Sequence, residues 1–88
     1  MLHNVLLKAK KYAEDNNLLL CVSDGTIITA GLAEDIEIYE NCLQFNKGSI
    51  EIINTGEIGG VPKTYEVIKY YKVINMDYIV YLDFCKQF

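Results

Sequence analysis

Eighty-eight residues, 51% of them apolar, describe one domain spanning 1–88, with enough apolar content to form a core without disulfide or metal staples. All eight basic residues are Lys, and twelve acidic residues leave a net charge of −4. That balance argues against a nucleic-acid partner, where phosphate neutralisation and guanidinium forks carry affinity, and favours a neutral or basic one.

Met1 to Asn17 reads as an amphipathic helix, with Leu2, Val5, Leu6, Ala9 and Ala13 recurring at steps of three and four. Asn4 is a candidate N-cap that would start the helix at Val5, and Asn16-Asn17 a stop that tolerates the left-handed conformation. Lys8, Lys10 and Lys11 read as its solvated face. Leu18 to Val22 then has no polar side, so a strand covered on both faces is expected. Asp24-Gly25 between two β-prone runs predicts a two-residue type I′ turn and an antiparallel return over Thr26 to Ala30.

Asp35 to Glu40 alternates, with Ile36 and Ile38 on one side and Glu37 and Tyr39 on the other. Glu40-Asn41 reads as a tight turn into a short strand, Cys42 to Phe45, with Leu43 and Phe45 sharing a face. Asn46-Lys47-Gly48 predicts a second hairpin turn, and Ser49 to Ile53 alternates again with Ile50 and Ile52 inward and Glu51 outward. Asn54 to Lys63 holds three of the six glycines and the single Pro, and reads as a long loop. In Thr64 to Ile74 the Val, Ile and Tyr content favours a strand, while Val67, Ile68, Tyr71 and Ile74 also fit a helical face. Asn75 to Asp77 reads as a turn before a strand with Tyr78, Val80, Leu82 and Phe84 on one face, and Cys85 to Phe88 as a tail. The expected fold is α+β: an N-terminal helix packed on a strongly bent, mostly antiparallel sheet of five to seven short strands, with a small half-open barrel as a variant.

Chemistry-bearing residues are sparse. Cys21, Cys42 and Cys85 are widely spaced, form no Cys-x-x-Cys pair, and have one His, His3, to complete a ligand set, so no metal site and no cofactor is expected. Their apolar surroundings suit a reducing compartment, and no leader or membrane-length run is visible, so the expected location is cytoplasmic, away from membranes. Glu37 and Glu51 are candidates to face each other across strands, a pairing that reads as charges on a wet sheet face; no catalytic residue, and no enzyme, is expected.

Seven tyrosines remain, crowded toward the last third of the chain. Tyr offers a large, stiff, amphipathic surface, so Tyr65, Tyr70, Tyr71 and Tyr81 are candidate contact residues for a protein partner or a second copy of the chain. Glu57 and Lys63, in the Gly-rich segment, are candidates to grip a partner or ligand. The expected function is therefore an acidic protein-binding module acting by occlusion or as an adaptor, of the kind phages and mobile elements encode as inhibitors. The alternative is a domain that senses or sequesters a small ligand. The stretch VSDGTIITAGLAEDIEIYENCLQF, after a helix, is loosely similar to the first motif of Sm-like RNA-binding small barrels. That resemblance covers about a third of the chain, lacks the second motif and its basic residues, and implies a small barrel and an RNA partner as a third reading.

Overall fold

A computed structural model describes residues 2–58, 61–69 and 71–87; for 52–58 and 61–69 it describes the backbone and its pairing. One helix, α1 (Leu2–Asp15), precedes eight strands among the described residues. Strands β1 (Leu18–Ser23), β2 (Ile27–Leu32), β5 (Ser49–Ile58), β6 (Val61–Lys69) and β8 (Tyr81–Lys86) form one antiparallel sheet in the order β6-β5-β2-β1-β8. Strands β3 (Ile36–Ile38), β4 (Cys42–Phe45) and β7 (Lys72–Asn75) form a second, in the order β3-β4-β7. The strands do not close into a barrel. The α+β class, the N-terminal helix and the antiparallel pairing are those expected from the sequence.

The main core lies where α1 and the two sheets meet. Leu6, Ala9 and Ala13 of α1, Leu20 and Val22 of β1, Ile36 of β3, and Leu43 and Phe45 of β4 are buried in one cluster. Ala at two of the three buried helix positions lets the helix backbone approach the sheet closely. Val5 does not join them and is exposed. At 100° per residue it lies about 70° round the helix from the centre of the Leu6–Ala9–Ala13 stripe, outside so narrow a face. The helix also begins at Leu2 rather than after an Asn4 cap, because Leu2 packs on the core and the His3 ring donates through Nδ1 to the Tyr39 carbonyl at 2.9 Å. Asn17 ends it with φ +54°, the left-handed stop expected there.

Strand β1 is sealed on both faces as its sequence requires. Leu20 and Val22 face the main core, while Leu19 and Cys21 are buried on the opposite face with Ala30, beside Ile28 and Leu32. The turn that follows sits one residue later than expected. Ser23 pairs with Ile28 and the Asp24 amide donates to the Ile27 carbonyl, so Gly25 and Thr26 are the central residues. Gly25 takes φ +100° at the first central position, while Asp24 precedes the turn and uses Oδ1 to accept from the Thr26 and Ile27 amides at 2.9 and 2.8 Å. Asp24 is thus a side-chain clamp on the turn, not a residue bent into it.

Beyond β2 the chain repeatedly changes sheets, which overturns several local readings. The turn at Glu40-Asn41 closes a β3–β4 hairpin as expected, with the Tyr39 amide donating to the Cys42 carbonyl at 2.8 Å. Asn46 to Gly48 does not make a hairpin: β4 and β5 lie in different sheets, and the segment carries the chain from one to the other. The long loop expected over 54–63 is not found among its described residues either: 54–58 and 61–63 belong to the paired strands β5 and β6, with an irregularity between Asn54 and Glu57. The strand favoured for Thr64 to Ile74 is found in its described residues, but as two pieces, the end of β6 (to Lys69) and most of β7 (from Lys72), again in separate sheets. Asn75 caps a short 3₁₀ turn over Met76–Tyr78 by accepting from the Asp77 amide. Tyr78 and Val80 therefore precede the last strand and are exposed, whereas Leu82 and Phe84 pack on the core. Cys85 and Lys86 belong to β8 rather than to a tail, pairing opposite Leu19 and Leu18.

The most informative correction is Glu51. It is buried on the inner face of its sheet, directly across from Thr29, and Ile50 takes the other face beside Ala30. Glu37 does not face it, being paired with Gln44 in the smaller sheet.

Candidate functional site

The smaller sheet has one dry face and one wet face, and its register assigns each side chain. Ile36 pairs with Phe45 and Phe45 with Lys72; Ile38 pairs with Leu43 and Leu43 with Ile74. These rows point into the molecule. The alternate row, Glu37–Gln44–Val73, points outward, with Tyr39 and Tyr71 lying beyond it toward opposite ends of the face.

Lys72 is the inward exception in polarity. Its ammonium lies 2.6 Å from Glu51 Oε1 and donates to Thr29 Oγ1 at 3.1 Å, tying β7 of one sheet to β5 and β2 of the other. Burial of this pair in a polar nest explains how a glutamate can face the core: its charge is matched and hydrogen-bonded rather than abandoned. Ser49 Oγ, two residues before it, is buried and has no partner among the described residues. A cleft of about 380 Å³ opens beside Lys72, with Asp24, Thr29, Asn75 and Tyr78 among its lining residues. The Ile27 and Thr26 amides hold the Asp24 carboxyl below its ordinary range, with the Lys72 charge adding to the effect.

On the outward face, Tyr39 is 46% exposed, Tyr71 59% and Val73 47%, a concentration of large side chains in water. The Tyr39 hydroxyl donates to Glu37, which raises the phenol above its usual pKa. A second exposed group, Tyr78, Val80 and Tyr81, sits where the chain enters β8, and the Tyr81 hydroxyl donates to Asp83 at 3.0 Å.

No protein-family model, curated protein or solved structure matches the chain.

Of the residues singled out by sequence, Tyr71 and Tyr81 are exposed but belong to different surfaces, one beside the small sheet and the other on the edge strand of the large one. Tyr65 and Lys63 lie on β6 and Glu57 on β5, where Glu57 pairs with Pro62 and Tyr65 with Ile53; their side chains, and Tyr70 altogether, lie outside the described residues. Tyr39 and Val73 are the members that sequence reasoning passed over. Tyr39 was legible from alternation in DIEIYE, which sets it on the side opposite Ile36 and Ile38. Val73 carries no such signal, since an exposed Val in an apolar stretch looks like core. Among the described residues no three His, Cys, Asp or Glu side chains gather as a metal site, and no helix is long and apolar enough to cross a membrane.

Proposed function

We propose that this chain is a small acidic protein-binding module, and that its contact surface is the outer face of the three-stranded sheet. The observation that supports this is the exposure of Tyr39, Tyr71 and Val73 on one face, around Glu37. Tyr39 follows β3 and Tyr71 precedes β7, and aromatic side chains, with few rotatable bonds, lose little freedom on binding, so they serve well as anchors. The exposed carboxylates of Glu37, Glu40 and Asp77 belong to the strand, turn and 3₁₀ segments of this sheet, while Lys72 is turned inward and Lys47 lies 3.8 Å from Asp35. Such a face suits a partner with an apolar centre and a basic rim. A second copy fits poorly, because a two-fold interface would set these carboxylates against their own images.

The test is capture from host extract by the immobilised chain, with variants on each exposed surface. Tyr39→Ala and Tyr71→Ala are expected to weaken capture of the same basic partner at least ~10-fold each, the loss typical of an interface anchor, and Tyr81→Ala to leave it unchanged. Equal capture by all three variants, or a dimer in sedimentation that Tyr71→Ala dissolves, would overturn the reading. The cleft beside Lys72 favours a second reading, sequestration of a small polar ligand, for which strong thermal stabilisation by one metabolite or nucleotide is the expected sign.

A further inference from the structure

On the face of the large sheet turned away from α1, two cysteines from neighbouring strands meet. Cys21 of β1 pairs with Asp83, and Cys85 of β8 with Leu19, so the two cysteines are diagonal neighbours on the same side. Their sulfurs are 2.7 Å apart, only ~0.7 Å beyond the length of a disulfide bond. Both are free thiols; Cys21 is buried and Cys85 exposed. Cys42, in the other sheet, takes no part.

We propose that Cys21 and Cys85 are a dithiol pair that a low-molecular-weight disulfide such as glutathione disulfide converts to an intrachain disulfide, with Cys85 as the site first modified. Exposure makes Cys85 the sulfur that a small disulfide can reach. Burial, the neighbouring thiol and the Asp83 carboxylate together keep Cys21 protonated, so it does not compete as the first nucleophile. In the first step the Cys85 thiolate attacks one sulfur of the small disulfide, whose S–S bond breaks and releases one small thiol. A mixed disulfide now stands on Cys85. In the second step Cys21 sulfur attacks Cys85 Sγ, the mixed S–S bond breaks, and the departing thiolate takes up the proton that Cys21 loses. Two protein thiols are oxidised, and one small disulfide is reduced to two thiols. The product staples the edge strand β8 to β1 and closes a loop spanning 64 positions.

The experiment is to incubate the reduced, full-length chain with excess glutathione disulfide, trap free thiols with maleimide, and weigh the intact protein. The expected product is a monomer carrying one maleimide, on Cys42, and no glutathione, with a higher midpoint of thermal unfolding than the reduced chain. Cys42→Ser should oxidise like the parent and accept no maleimide. Cys21→Ala should stop at a stable mixed disulfide on Cys85, whereas Cys85→Ser, altering an exposed position that the fold tolerates, should form no internal bond. Three maleimides on the parent, a lasting glutathione adduct on it, or a disulfide that includes Cys42 would each overturn the proposal.

Discussion

The tripeptide Ile-Glu-Ile occurs twice, as Ile36-Glu37-Ile38 in β3 and Ile50-Glu51-Ile52 in β5, and its two glutamates are oppositely oriented. Glu37 is exposed and bonded to Tyr39; Glu51 is buried and clasped by Lys72 and Thr29. Alternation fixes that neighbouring side chains point apart, but it does not fix which set points inward. For β3 the hydrophobic effect decides, since Ile36 and Ile38 have Phe45 and Leu43 to join. For β5 the decision comes from another sheet, where β7 presents a lysine to the interior. Polar partnership has displaced the usual ranking of residues by hydropathy at this one register.

Four measurements would sharpen or break that contrast. The largest effect is expected at Glu51: Glu51→Ala leaves the half-buried Lys72 without its counter-charge and should cost about 2–3 kcal/mol in urea unfolding, while Glu51→Leu combined with Lys72→Met should recover to within ~1 kcal/mol of the parent. An undiminished midpoint for Glu51→Ala would mean that the inward glutamate is incidental. Next comes Gly31, on the same face as Glu51, where an added Cβ would stand 2.7 Å from Phe45 Cδ1. Gly31→Ala should therefore cost about 2 kcal/mol, against almost nothing for Gly48→Ala, which meets no neighbour within 4 Å. Third is the Asp24 clamp. Its carboxyl is held below the ordinary 3.8, so it contributes stability above that pH, and the contribution disappears as pH falls through the lower folded value. Asp24→Ala should flatten the acid limb of the stability curve and leave the shape of the neutral region unaltered. Smallest is Glu37→Ala, expected to shift stability by no more than ~0.5 kcal/mol while weakening capture of a basic partner.

The legible parts of the fold are those governed by neighbours in sequence. The helix stripe of Leu6, Ala9 and Ala13, the left-handed stop at Asn17, the sealed run Leu18 to Val22 and the Glu40-Asn41 hairpin all follow from local chemistry. What escaped detection depends on distant chain. Nothing within Asn46-Lys47-Gly48 distinguishes a hairpin turn from a passage between sheets, since both use the same turn formers. The turn position after Ser23 also eluded sequence reasoning, because Asp can either occupy a left-handed position or clamp the turn from outside it. For the candidate site, Tyr71 was found by composition and Tyr39 was available from periodicity. The Lys72–Glu51 link, joining residues from separate sheets, had no local signature at all.

The pairing of β8 with β1 has a consequence for how the molecule is made. On a ribosome, Leu18–Ser23 is followed closely by its partner β2, yet one of its edges stays open until Tyr81–Lys86 has been synthesised. While the residues between these two strands are being made, the nascent chain thus exposes an apolar, aggregation-prone border, and completion of the large sheet must await β8. Molecules truncated before β8 should accordingly be claimed by chaperones or proteases rather than persist as folded fragments.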